Sequence, residues 1–178
     1  MDIREIIKNR ETIYKGRILE VEKITVHLPN GNDAIRDVVR HKGACGIIAL
    51  DDDMNIVLEK QYRVAFDEIL IEIPAGKLDH DEDPLHCAKR ELEEETGYVA
   101  KSMKHVLTVA SSPGFSDEIV YLYMAEGLTQ KEMNWDEDES LIVWKEPLVN
   151  AKKWIFEGKI KNGLAVVAIL AACQIKGV

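Results

Sequence analysis

The chain has 178 residues, of which 46% are hydrophobic and 31% charged, a balance typical of a globular protein with one main core. A formal net charge of −9 argues against nucleic acid or an anionic membrane as a partner. Cys45, Cys87 and Cys173 are odd in number and far apart, so they indicate neither a disulfide framework nor a metal cluster. The charged N-terminus lacks the apolar stretch of a secretory signal, and the most apolar run, 163–175, is too short to cross a bilayer. We therefore expect a cytoplasmic protein.

The first part of the chain, residues 1–41, is predicted to form a small antiparallel sheet. Residues 11–29 alternate between apolar and polar side chains, as half-buried strands do, and the Asn-Gly pair at 30–31 is a strong signal for a hairpin turn. Residues 34–41 should return as the next strand. Because a sheet of this size is only marginally stable alone, it must pack on the main domain or on a second copy of the chain.

The remaining residues, 42–178, are predicted to form one α/β domain. Short, continuous apolar runs are typical of buried strands, and longer apolar runs favour helices. The predicted strands are 43–50, 55–59, 69–73, 102–110, 119–125 and 141–144. Two helices are predicted near the C-terminus, at 147–156 and 162–175.

Between these strands, residues 84–96 are predicted to form a helix rich in good helix formers. Asp81 or Asp83 can cap its start, and Gly97 suits a left-handed cap at its end. The apolar stripe that should face the core consists of Leu85, Ala88 and Leu92.

The same helix carries a cluster of glutamates. Glu91 and Glu95 lie one turn apart, Glu94 flanks them, and Glu93 points elsewhere. Like charges at this spacing repel by roughly 0.2–0.5 kcal/mol per pair, which favours a cation that gathers them. Oxygen ligands without Cys or His suit Mg²⁺ or Mn²⁺ rather than Zn²⁺. A solvated acidic helix face remains the alternative from this helix alone.

The helix belongs to a longer pattern with fixed spacing. The pattern consists of Gly76, five residues, Glu82, seven residues, Arg90-Glu91-Leu92, one residue, Glu94-Glu95, one residue, and Gly97-Tyr98. It resembles the Nudix box, and every fixed position of that box is filled. The resemblance implies a loop–helix–loop on an α/β/α sandwich with a mixed central sheet. It also implies a divalent-metal-dependent hydrolase that acts on nucleoside diphosphates linked to another moiety.

The resemblance further implies the ligands of a Mg²⁺ ion, with Mn²⁺ as the alternative. They would be the side chains of Glu91, Glu95 and Glu94, the backbone carbonyl of Ala75, and Glu82, which either ligates directly or orients the others. Arg90 is expected to pair with one of these glutamates and to fix its rotamer, and a surface ion pair of little consequence is the alternative.

A second acidic run, 136–139, resembles the loop with which related hydrolases bring a catalytic glutamate to the metal-bound water. We expect Glu137 to be the general base and Glu139 to be a further metal contact, against the alternative of a solvated turn. Arg63 resembles a phosphate-contacting arginine, and Arg36 is a weaker candidate for the same role. For both arginines the alternative is a solvent-facing position on a strand.

The position of Pro113, 15 residues after Tyr98, resembles the marker of the ADP-ribose pyrophosphatase branch. That branch implies hydrolysis of ADP-ribose to AMP and ribose 5-phosphate, by a homodimer in which the N-terminal sheet crosses to the partner. Another nucleoside diphosphate sugar, such as an ADP-sugar or GDP-mannose, is the alternative substrate. A non-catalytic nucleotide-binding module is the alternative function. The aromatic residues that could stack on a base are Tyr14, Tyr62 and Phe115.

Overall fold

The structure, a computed structural model, describes residues 2–131 and 140–178. These residues separate into two units. The first unit comprises residues 2–43 together with Ala110–Ile119, and the second comprises Ala44–Val109 together with the described residues after Ile119.

A three-stranded antiparallel sheet, in the order β1-β2-β3, is the frame of the first unit. Its strands are β1 (Ile6–Lys15), β2 (Glu20–His27) and β3 (Asp33–Arg40). The predicted Asn-Gly turn joins β2 to β3, and Gly31 adopts a φ of +87° that other residues rarely tolerate. β1 begins at Ile6 rather than at residue 11. All of its residues are exposed, so the prediction of a half-buried strand is wrong for residues 11–15.

Residues 110–119 extend this unit along β3. The backbone N–H of Val39 donates to the carbonyl of Phe115 at 2.7 Å, and the N–H of Asp117 donates to the carbonyl of Val39 at 3.2 Å. Arg40 adds an ion pair to Asp117 at 2.9 Å. The loop that carries Pro113 is therefore part of the first unit.

The second unit contains a mixed sheet of seven strands in the order β10-β5-β4-β9-β8, with β6 paired to β5 and β7 paired to β4. β4 and β9 pair in parallel, whereas β5 pairs antiparallel with β4, β6 and β10. The strands are β4 (Ala44–Leu50), β5 (Asn55–Arg63), β6 (Glu68–Glu72), β7 (Ala75–Lys77), β8 (Tyr98–Ala110), β9 (Ile119–Gln130) and β10 (Ile142–Pro147).

Helices cover both faces of this sheet, which confirms the predicted α/β/α sandwich. Helix α1 (Pro84–Thr96) buries Ala88 and Leu92 with one core cluster. Helices α2 (Leu148–Phe156) and α3 (Gly163–Lys176) bury their apolar side chains with the other. Among the described residues, no helix is both long enough and apolar enough to span a membrane.

The ends of α1 follow from its capping residues. The Asp83 carboxylate accepts the N–H groups of Leu85 and His86 at 3.0 and 3.1 Å, and Gly97 adopts a φ of +68° at the other end. The predicted bounds of the helix are confirmed, so its glutamates share the surface that the spacing predicts.

Candidate active site

Arg90 lies among the carboxylates of the Nudix-like segment. Its Nε and Nη2 donate to the two oxygens of Glu82 at 3.1 and 3.0 Å. Its Nη1 donates to Glu91 Oε1 at 2.8 Å and to Glu94 Oε2 at 2.9 Å. The arginine therefore binds three glutamates, where the sequence predicted one, and it offsets the repulsion between carboxylates one turn apart.

Glu82 enters this cluster from the loop before α1, and its side chain is only 9% exposed. Hydrogen bonds, first from Arg90 and then from the backbone N–H of Asp79, lower the pKa of Glu82 to about 2. The hydrogen bonds to Glu82 and Glu94 and the charge of Glu91 raise the pKa of Arg90 above its usual value. Glu82 is consequently an anion at any physiological pH, as a metal ligand or an orienting group must be.

Glu95 lies deeper, at 4% exposure, and contacts the backbone next to the proposed carbonyl ligand. Its Oε2 accepts the N–H of Ala75 at 2.9 Å. The backbone there is held by pairing of β7 with β4, in which Gly46 lies opposite Ala75 and Cys45 opposite Gly76. The structure thus brings two of the predicted ligand residues, Glu95 and Ala75, side by side.

Gly76 gives the carboxylate of Glu91 the room it occupies. A Cβ atom at position 76 would lie 1.8 Å from both Cδ and Oε1 of Glu91. The fixed glycine of the pattern is therefore explained by close approach of a side chain.

These groups fit a hard divalent cation such as Mg²⁺ or Mn²⁺, because the donors are all oxygens and Gly76 leaves space for one of them. Within the two described ranges, no three His, Cys, Asp or Glu side chains are already grouped to hold a metal ion. The Arg90 guanidinium is hydrogen-bonded to Glu82, Glu91 and Glu94. Metal binding would require some of these bonds to be exchanged.

Arg63, the predicted phosphate contact, is held by a buried carboxylate. Its Nε and Nη2 donate to the two oxygens of Glu72, both at 2.8 Å. Glu72 is 3% exposed, whereas 42% of the Arg63 side chain is accessible. The arrangement fixes the plane of the guanidinium and leaves part of it open to a ligand.

Two buried glutamates beside Arg63 were not singled out from the sequence. Glu59 on β5, at 1% exposure, lies opposite Glu72 on β6. The hydrogen bonds that Arg63 donates to Glu72, together with the charges of Glu72, Glu59 and Glu95, raise the pKa of Arg63. Arg63 is thereby connected electrostatically with Glu95 of α1. The sequence did contain a signal for these residues, because each is a glutamate inside an apolar strand sequence. A buried carboxylate requires a partner, so such a glutamate predicts a cation or hydrogen-bond donor nearby.

Two of the other predicted site residues belong to the first unit, and two fall outside the described residues. Arg36 belongs to the first unit and pairs with Glu5 at 2.6 Å, and Pro113 lies in the same unit. Glu137 and Glu139 fall outside the described residues. The exposed aromatic candidates are Tyr14 and Phe115 in the first unit and Tyr62 in the second.

The sequence is similar to those of known proteins. Residues 40–160 match the sequence profile of the NUDIX domain. A methanol dehydrogenase activator of Bacillus methanolicus is 43% identical over 161 residues, which cover 89% of this chain and 87% of the relative. An ADP-ribose pyrophosphatase of Bacillus subtilis (strain 168) is 38% identical over 162 residues, which cover 90% and 88%.

The fold has a close counterpart among solved structures. The crystal structure of an ADP compounds hydrolase superposes with a TM-score of 0.87, at 22% identity, over 99% of this chain and 97% of that one. This likeness supports the fold, whereas the profile match over more than half of the chain identifies the family. The chain therefore belongs to the Nudix family.

Proposed function

We propose that this protein hydrolyses the diphosphate bond of ADP-ribose, releasing AMP and ribose 5-phosphate, with Mg²⁺ or Mn²⁺ as cofactor and in the cytoplasm. The observation that carries the proposal is the placement of Glu91 and Glu95 against the backbone of Gly76 and Ala75. The identity to an ADP-ribose pyrophosphatase supports the choice of substrate.

The carboxylates would provide the cation site. When bound, a divalent ion neutralises the diphosphate and lowers the pKa of a bound water. The groups that would hold it are the side chains of Glu82, Glu91, Glu94 and Glu95 and the carbonyl of Ala75. Arg90 is hydrogen-bonded to three of these glutamates and would hold their rotamers in place when no ion is bound. When an ion is bound, Arg90 would orient the glutamates to which it stays hydrogen-bonded.

The diphosphate itself would be bound by Arg63, whose orientation is set by Glu72. Arg36 and Pro113 of the first unit are proposed as further substrate contacts. The acidic run at 136–139 would supply the general base, Glu137, and a further metal contact, Glu139.

We also propose that the protein is a homodimer formed through the N-terminal sheet. β1 is the outer strand of that sheet and exposes Ile6 at 65%, Ile13 at 56% and Tyr14 at 58%. Exposed apolar residues on an edge strand favour association with another chain. Sedimentation velocity should give a dimer for the full chain and a monomer for Ile13→Glu. A monomeric wild-type chain would contradict this proposal.

A regulatory role is the second candidate, because a relative at 43% identity is named as an activator of another enzyme. A purely non-catalytic module would bind a nucleotide without turnover. The intact set of carboxylates favours the hydrolase. An assay of ADP-ribose turnover separates the hydrolase from the non-catalytic module.

The test is turnover of ADP-ribose, an ADP-sugar and GDP-mannose, each with Mg²⁺ and with EDTA. ADP-ribose should be hydrolysed fastest, and only with the metal. Glu91→Gln and Glu95→Gln should each lower kcat/KM about 100-fold or more. Glu93→Gln is the matched control on the same helix, because Glu93 pairs with Lys131 at 2.8 Å instead of Arg90. Binding of these compounds without turnover of any of them would contradict the proposed function. So would a loss of kcat/KM in Glu93→Gln equal to that in Glu91→Gln and Glu95→Gln.

A further inference from the structure

A concavity lies on the face of the sheet that α2 and α3 cover, which is the face opposite α1. Its volume is about 740 Å³, within the range of roughly 300–1,000 Å³ typical of small-molecule sites. Ile69, Ile71 and Ile142 provide apolar surface, and Trp144 and Trp154 provide two indole rings. We call it the two-tryptophan pocket.

The face of the sheet follows from the alternation along β5. Leu58 packs with the core of α2 and α3, whereas its neighbour Val57 packs with the core of α1. Lys60, two residues after Leu58, therefore points to the same side as Leu58 and lines the pocket. A ligand here would occupy a different side of the sheet from the carboxylates of α1.

Positive charge collects in this pocket although the chain as a whole carries a net charge of −9. Lys60, Lys159 and Lys161 line it, and Glu68 is the one carboxylate among its described lining residues. Lys161 pairs with Glu68 at 2.6 Å. Lys159 in turn pairs with Glu157 at 2.8 Å. Three lysines against these two carboxylates leave one positive charge in excess, which favours an anionic ligand.

The lysines are placed beside the aromatic rings. Lys60 Nζ lies 5.5 Å from the ring centroid of Trp144, and Lys159 Nζ lies 5.5 Å from that of Trp154. In each pair the ammonium lies over the face of the indole ring, so a cation and a flat apolar surface are adjacent. A ligand that joins a planar ring to a phosphate would use both features at once.

We propose that the two-tryptophan pocket binds a purine nucleoside monophosphate. The base would stack on an indole ring, as bases do on aromatic side chains, and the phosphate would be bound by Lys60 and Lys159. An acidic peptide would use the lysines but leave the two indole rings without a stacking partner. The site does not depend on the proposed hydrolysis, because it lies on the other face of the sheet.

The experiment follows the indole N–H signals of the full chain by NMR, in EDTA, during titration with AMP. Trp144→Phe and Trp154→Phe assign the two signals of the pocket. AMP should shift both signals, while adenosine and inorganic phosphate, used as separate probes, should bind at least about tenfold more weakly. The absence of a shift with AMP, or equal binding of phosphate alone, would overturn the proposal.

Charge reversal and a matched control complete the test. The double variant Lys60→Glu/Lys159→Glu should weaken AMP binding by about tenfold or more. Lys104→Glu should not, because Lys104 is an exposed residue of β8 and is not among the described residues that line the pocket. Binding that is lost equally in the control, or lost in Glu91→Gln, would place AMP outside this pocket and overturn the assignment. Turnover of ADP-ribose by the double variant reports separately on the proposed function.

Discussion

Replacing Gly76 with alanine is the sharpest perturbation of the carboxylate site. The new Cβ would lie 1.8 Å from Cδ of Glu91, where ordinary contacts begin at 3.4 Å. The backbone at Gly76 does not have a positive φ, so alanine adds no backbone strain. Because the obstructing atoms belong to a flexible side chain, Glu91 can rotate away and the fold is retained. The substitution therefore displaces the Glu91 carboxylate from its position in the site.

The expected loss is that of one contact between the Glu91 carboxylate and the cation, and a hydrogen bond to a charged group gives the order of its size. A hydrogen bond to a charged group contributes about 1.5–3 kcal/mol, which corresponds to roughly a 10- to 150-fold change in an equilibrium constant. We expect the Mg²⁺ concentration at half-maximal ADP-ribose turnover to rise by about this factor in Gly76→Ala. The melting temperature without metal should fall by no more than about 4 °C, the shift that ~1 kcal/mol causes in a chain of this size.

Gly163→Ala is the control for a new methyl group without a collision. No atom lies within 4 Å of its added Cβ, and it begins helix α3. This variant should keep the wild-type dependence on Mg²⁺. An unchanged Mg²⁺ midpoint in Gly76→Ala, or a collapse of its melting temperature, would refute the reasoning from the Glu91 contact.

Three further predictions concern other parts of the site. Glu72→Gln should raise KM for ADP-ribose and destabilise the fold by about 1–3 kcal/mol. This loss of stability is smaller than for a fully buried ion pair because Arg63 is partly exposed. If the losses of stability in Glu72→Gln and Arg63→Gln were additive in a double-mutant cycle, the two residues would not be coupled and the prediction would be wrong. The pKa of Glu82 is lowered to about 2 from 4.5, so its stabilising effect is present above pH 4.5 and is lost as the pH falls towards 2. Urea unfolding should therefore show a larger difference between wild type and Glu82→Gln at pH 5 than at pH 3, and equal differences would count against the Arg90 contact. Glu137→Gln should lower kcat about 10²–10⁴-fold with little change in KM, and a change confined to KM would exclude it as the base.

Local signals were sufficient for the helix of the site. Asp83 and Gly97 cap α1 at the predicted ends, and the spacing of Glu91 and Glu95 then fixes their shared surface. The α/β class was also predictable, because the central strands are continuous apolar runs. These features depend on neighbours within a few residues, which a single sequence contains.

Features that depend on pairing between distant strands were not predictable in the same way. β7 has three residues, too few for a recognisable pattern, and it forms because its backbone pairs with β4. Glu72 becomes the partner of Arg63 only through the register of β6 against β5. The attachment of residues 110–119 to β3 likewise spans a long sequence separation.

The central claim is that the glutamates of α1 hold the catalytic cation. Its most direct test is anomalous diffraction from crystals soaked with Mn²⁺ and a non-hydrolysable analogue of ADP-ribose. The account predicts a manganese peak within coordination distance of the Glu91 and Glu95 carboxylates and beside the analogue's diphosphate. A peak bound only elsewhere, or no peak with the analogue in place, would contradict it.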